Sequence, residues 1–192
     1  MGKILLFMFD EMTDYEITLI CHLLHRDAGK KVITVAYENK IVKGSSGIMY
    51  KPEKLVKDIL IDEVAGLIIP GGWYGDFREE MLQLIRKVYN NKKLVAGICG
   101  AGTVFLAKAG ILDEVKYTTP IVKWTEEYED KFGGKDPFKR ENFTSQRVIR
   151  DKNVITAVGP AFVDFSVEIC DWFNLFEDKS DKDNFIRNIK GL

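Results

Sequence analysis

The chain has 192 residues, 46% of them hydrophobic and 30% charged, enough to bury one substantial core. Its formal net charge of -1, with Lys and Arg scattered along the chain, excludes the basic footprint of a nucleic-acid partner, and no apolar run reaches the length of a membrane span. Three cysteines without regular spacing exclude a disulfide framework, and Met1-Gly2-Lys3 leads into apolar residues without a signal-peptide pattern, so the cytoplasm is the expected compartment.

Lys3 to Phe9 reads as the first strand, and Asp10 to Glu16 leads into a helix expected to run to about Ala28 and stop at Gly29. Val32 to Tyr37 is the second strand. Lys40 to Lys43 and Ile48 to Lys51, joined by Gly44-Ser-Ser-Gly47, predict a small hairpin on the sheet edge. A linker with Pro52 and a short helical piece precede the buried strand Gly66 to Pro70, which ends in Gly71-Gly72. Asp76 opens a helix to about Asn91 whose Phe77, Met81, Leu84, Ile85 and Val88 share one face.

Leu94 to Ile98 is apolar without alternation, as in a central parallel strand covered on both faces, and Ala101 to Ala109 is apolar nearly all round, as in a buried helix. Tyr117-Thr-Thr-Pro120 follows, then a helix expected from Val122 to Lys131 and a loop marked by Gly133-Gly134 and Pro137. Phe143 to Arg150 and Val154 to Ala157 read as strands and Ala161 to Phe176 as a long helix. The charged extension 177–192 places Phe185, Ile186, Ile189 and Leu192 on one helical face and reads as a short packed helix. The alternation predicts a single domain, 1–192, built as an α/β three-layer α/β/α sandwich with a mostly parallel central sheet.

Between the apolar strand and the buried helix, Gly97, Gly100 and Gly102 frame Cys99, the spacing of a tight nucleophile elbow. A thiol there sits at a helix N-terminus, where free amides are expected to lower its pKa and to hold an oxyanion. A small core hydrophobe is the other reading of a cysteine after an apolar strand, and the unframed Cys21 and Cys170 take that reading. Ligands of such sheets bind at the carboxyl ends of the strands, which here deliver Asp10 to Glu16, Gly71-Gly72-Trp73 and Cys99. Pro70-Gly71-Gly72 fits either an anion-facing loop or an ordinary tight turn, with Trp73 and Tyr74 as candidate pocket walls. Thr13 to Glu16 also fits a helix capping box. No phosphate loop is present, and His22 and His25 lack framing acids, so no metal and no cofactor is expected.

The segment Ala96 to Leu112 around Cys99, together with Ile69-Pro-Gly-Gly72 and Asp14-Tyr-Glu16, resembles the ThiJ/PfpI superfamily, as do Ile155 to Pro160 and the helix carrying Phe165. The resemblance covers Lys3 to about Phe176. It implies a flavodoxin-like fold related to class I glutamine amidotransferase domains, in a superfamily that includes a parkinsonism-associated deglycase and proteins labelled intracellular protease or amidase. It implies Cys99 as the reactive cysteine, Glu16 as the acidic partner of its sulfur, Gly72 and Gly100 as oxyanion donors, and a homo-oligomer, typically a dimer. Protease-like members carry histidine directly after the cysteine, where this chain has Gly100; others bring one after the elbow helix, where this chain has Tyr117-Thr-Thr-Pro-Ile121. His22 lies about 120° round its helix from Glu16, so it and His25 are expected at the surface. Cys-His peptide hydrolysis therefore loses its base. The expected functions are a hydrolase/amidase-like or glyoxalase/deglycase-like enzyme acting on a small carbonyl compound, a non-enzymatic redox-sensing or chaperone-like protein in which an oxidant converts Cys99 to a sulfinate held by Glu16, or a ligand-binding protein without turnover.

Overall fold

The computed structural model describes residues 2–191. Short apolar runs alternate with helices in the order β1 (Lys3–Phe7), α1 (Tyr15–His22), β2 (Val32–Ala36), β3 (Val42–Lys43), β4 (Met49–Tyr50), β5 (Lys54–Leu55), β6 (Val64–Ile69) and α2 (Glu79–Asn90). There follow β7 (Leu94–Ile98), α3 (Cys99–Lys108), α4 (Glu126–Phe132), β8 (Val148–Asp151), β9 (Val154–Ala157), α5 (Phe162–Trp172) and α6 (Lys179–Lys190). The main sheet has seven strands in the order β5-β2-β1-β6-β7-β9-β8, parallel except for the β8–β9 pair. Helix α1 packs on α5 and α2 on α3, so helices cover the sheet and its central strands are buried along their length. This is the expected flavodoxin-like sandwich. Strand order reverses beside β1, with β2 on one side and β6 on the other, which opens a crevice at their carboxyl ends.

Several boundaries move for local reasons. The β3–β4 hairpin forms its own two-stranded sheet, and β5, only two residues long behind Pro52, takes the edge of the main sheet instead. Helix α1 continues as a π-helical turn over Leu23–Asp27 before Gly29 turns the chain at φ 58°. Asp76 does not open α2; its carboxylate accepts from Arg78 Nε at 2.8 Å, and Phe77 packs edge-on against Phe105 ahead of the helix. Helix α4 begins only after Thr125, whose hydroxyl caps it, leaving Val122 in an exposed loop. Residues 143–147 form a loop rather than a strand, with Thr144 N–H donating to Tyr117 O at 2.8 Å. Helix α5 stops at Trp172, and Asn174 takes a left-handed φ of 57° just beyond it. In the charged extension, Asp178 caps α6 and Phe185 packs on Phe176 at 5.3 Å between centroids, as expected of a packed terminal helix. Leu192 lies outside the described residues. Among the described residues no helix is long and apolar enough to cross a membrane.

One polar knot fixes the start of α1. Asp14 is 2% exposed, and its carboxylate accepts from Ser46 N–H at 3.3 Å, from the Ser46 hydroxyl and from Tyr50 OH at 2.9 Å, fastening the hairpin loop to the helix. Burial by itself would raise its pKa; the bonds from Ser46 and Tyr50 outweigh burial and hold it below the ordinary carboxylate value. Asp14→Ala is expected to cost about 2 kcal/mol, read as a lower denaturant midpoint at unchanged slope. In the wild type this contribution is present above the ordinary carboxylate pKa and fades as pH falls through the depressed one.

Candidate active site

The β7–α3 junction is a sharp elbow. Ile98 is extended at φ -120° and ψ 147°, and Cys99 then adopts φ 61°, a left-handed conformation that strains any residue with a Cβ. The glycines make the approach possible. A Cβ on Gly97 would stand 2.8 Å from Gly102 O, and one on Gly102 would stand 2.7 Å from Ile69 O. Behind the elbow, Thr103 Oγ1 donates to Cys99 O at 2.6 Å and lies 2.8 Å from Thr119 Oγ1, tying the strained residue to the segment after α3.

Glu16 arrives from the first turn of α1 and is fully buried. Gly71 N–H donates to its Oε2 at 2.8 Å, while Oε1 is the one buried side-chain oxygen or nitrogen without a partner among the described residues. The capping box does not form: Asp14 occupies the cap position with its carboxylate bonded to the hairpin loop and not to the first-turn amides of α1, and Thr13 N–H donates to Gly71 O at 2.9 Å. Glu16 instead brings its carboxyl beside the Cys99 thiol. Two glycines close over this pair. A Cβ on Gly71 would lie 2.6 Å from Glu16 Oε2 and 3.1 Å from Cys99 Sγ; one on Gly159 would lie 2.8 Å from Oε1 and 3.1 Å from Sγ. Sheet neighbours β1, β6, β7 and β9 thus converge on one sulfur.

A model described as the DJ-1/PfpI family matches residues 2–171. The chain belongs to the DJ-1/PfpI family. Among its relatives, the Bacillus subtilis "Uncharacterized protease YoaZ" is 26% identical over 91% of this chain and 84% of that protein. The Pyrococcus furiosus "Deglycase PfpI" is 30% identical over 62% of this chain and 72% of its own. A DJ-1 superfamily protein from Agrobacterium tumefaciens has the same fold, with a TM-score of 0.82 over the whole of both chains at 22% identity. Helix α6 lies beyond the part that matches the family model.

Electrostatics at this DJ-1/PfpI elbow run partly against expectation. Burial pushes the Glu16 carboxyl up to about 7, with the Gly71 amide and the Cys99 thiol pulling the other way. The Cys99 thiol is not depressed but pushed up to about 12, first by burial and then by the Glu16 charge, against the backbone amides of Gly100 and Gly159. The amides at the elbow favour a thiolate, as the sequence suggests, but desolvation and a neighbouring carboxylate outweigh them.

The remaining expected site residues divide. The amides of Gly100 and Gly159 face the sulfur, and that of Gly71 serves Glu16. Gly72, at φ 144°, bridges Met12, and its carbonyl lies 3.6 Å from the Cβ position of Gly100. Trp73 stands 45% exposed against Phe132 and Tyr128 of α4, with centroid distances of 5.2 and 5.7 Å. Tyr74 departs from its expected place as a wall beside Trp73: it stacks on Phe9 at 4.3 Å and lines a separate cavity of about 170 Å³ with Tyr37, Asp10 and Arg78. His22 and His25 are exposed on α1 and its π-helical turn, as expected, and Cys170 is buried on α5. No cluster of metal-ligating side chains occurs among the described residues. The sequence reading assigns no role to Gly159 and does not foresee the Gly71 bond to Glu16; the signal available was a Gly-Pro directly after an apolar strand.

Proposed function

We propose that this protein is a cysteine-dependent enzyme acting on a small carbonyl compound, such as an α-oxoaldehyde or a glycated adduct. The observation that carries the reading is the Glu16 carboxyl, titrating near 7 and holding an unpartnered oxygen beside the Cys99 sulfur. A base with that pKa compensates for the histidine that Gly100 replaces. The Glu16 carboxylate takes the thiol proton as Sγ bonds to the aldehyde carbon, and the carbonyl π pair moves to oxygen. The Gly100 amide, which faces the sulfur, is the donor for that oxygen, with Gly72 proposed beside it from the resemblance. Glu16 then returns the proton to the oxygen, giving a neutral hemithioacetal. With an α-oxoaldehyde, the C–H proton moves to the adjacent carbonyl oxygen to give an enediol, and the hydroxyl proton on the sulfur-bearing carbon then moves to the adjacent carbon, giving the thioester of a 2-hydroxy acid, which water cleaves to free Cys99. The deglycase name of the Pyrococcus relative is consistent with this chemistry. A cytoplasmic homo-oligomer is the accompanying proposal, from the cysteine usage and the resemblance.

The test is the release of 2-hydroxy acid from a panel of α-oxoaldehydes. Wild type is expected to turn over, and Cys99→Ala to lose at least about a thousandfold in kcat/KM. Equal product from wild type and Cys99→Ala would sink the reading.

A further inference from the structure

We infer that Trp73 and Phe132 form a specificity wall beside Cys99 that selects a flat, apolar substituent, so that an aldehyde bearing an aromatic group is preferred over one bearing a methyl. The inference rests on the aldehyde reading for its substrate and on the following geometry for its selectivity. Trp73 follows Gly72 directly, and the Gly72 carbonyl is 3.6 Å from the Cβ position of Gly100, the residue after the nucleophile. From the other side, Phe132 Cζ stands 3.8 Å from the same point. The space beside Gly100 is therefore bounded by a backbone carbonyl and an aromatic ring.

The wall is rigid. Phe132 is 2% exposed and stacks nearly parallel to Tyr128, at 8° and 5.9 Å between centroids. Beyond α4, Lys108 Nζ holds Gly133 O at 2.8 Å and Trp124 Nε1 holds Gly134 O at 3.1 Å, and Gly75 is pressed against the Lys131 carbonyl so closely that a Cβ there would overlap it. Against this backing Trp73 is 45% exposed, with Lys131 Nζ 5.9 Å from the ring centroid. An indole packed on Phe132 and Tyr128 and still half-exposed leaves surface for a further ring, and aromatic pairs gain beyond the area that they bury.

The experiment compares the rates at which N-phenyliodoacetamide and iodoacetamide alkylate Cys99, followed by mass spectrometry of the Cys99 peptide. Each reagent transfers its acetamide carbon to sulfur with loss of iodide, and division by the same ratio for glutathione removes intrinsic reactivity. The corrected ratio is expected to exceed ten in wild type, to fall about tenfold in Trp73→Ala and to be largely retained in Trp73→Phe. A ratio near one in wild type, an equal ratio in wild type and Trp73→Ala, or failure of both reagents to label folded protein would each overturn the wall. Aromatic preference in labelling without aldehyde turnover keeps the wall and sinks the proposed reaction; turnover of methylglyoxal and phenylglyoxal with no aromatic preference in labelling does the reverse.

Discussion

Glu16→Gln is expected to slow Cys99 chemistry by about a hundredfold and to erase its pH dependence near neutrality. In the wild type, reactivity should rise through about pH 7, the titration of Glu16, and not wait for the thiol near 12. The amide keeps an oxygen for the Gly71 N–H but cannot take the thiol proton, so its rate should climb only at high pH. Alkylation rates from pH 5 to 10 decide the matter: an inflection near 7 that survives Glu16→Gln would assign the base elsewhere. The same substitution tests folding. The pKa of Glu16 is raised on folding, from an ordinary 4.5 to about 7. Its protonation therefore supports the fold fully below about 4.5, and that support is lost as pH rises through 7. Across this window the wild type should lose about 3 kcal/mol relative to Glu16→Gln, measured as the difference between their unfolding free energies. A difference that stays flat with pH would mean that Glu16 is not buried as a neutral acid.

The second large effect is expected at the two glycines over the site. Alanine at Gly71 would press on the Cys99 side chain and stand 2.6 Å from Glu16 Oε2, with the Cys99 backbone held by its hydrogen bond to Thr103 and unable to retreat. Overpacking of this kind costs about 3 kcal/mol, and the displaced carboxyl should take activity down about a hundredfold or more. Alanine at Gly159 meets the tip of Glu16 and the sulfur, which can rotate away, so its folding cost should be nearer about 1 kcal/mol with a comparable loss of activity. Denaturation midpoints and turnover on the same preparations separate the two. Equal stability and full activity in both variants would mean that the glycines are incidental.

The elbow was legible because everything that builds it is local. Five apolar residues without alternation, three glycines at fixed offsets from Cys99 and a small-residue helix mark β7, the turn and α3, whose observed boundaries differ from expectation by no more than two residues. Glu16 was reached only through the family resemblance, since Thr13 to Glu16 also spells a cap, and tertiary packing turned its carboxyl towards the sulfur. Gly159 was not legible as a partner of the site, nor was the bond from Gly71 to Glu16: β6 and β9 flank β7 in the sheet, and strand order is not written in either segment. The direction of the thiol shift failed for the same reason. Local reasoning counts the amides of a helix N-terminus, but the depth at which Gly71 and Gly159 seal the pair, and the carboxylate brought from β1's far end, are properties of the assembled sheet. The β3–β4 hairpin is legible in the sequence and its separation from the main sheet is not, because two-residue strands carry too little pattern to specify a neighbour.

The left-handed backbone at Cys99 sets folding and chemistry against each other at a single codon. Glycine would relieve about 1 kcal/mol of backbone strain there, yet it would remove the sulfur. Cysteine and glycine codons differ by one nucleotide, so the exchange lies a single mutation away. Under selection for persistence of the folded chain alone, position 99 would drift towards glycine; the chemistry proposed for the thiol is what would oppose that drift.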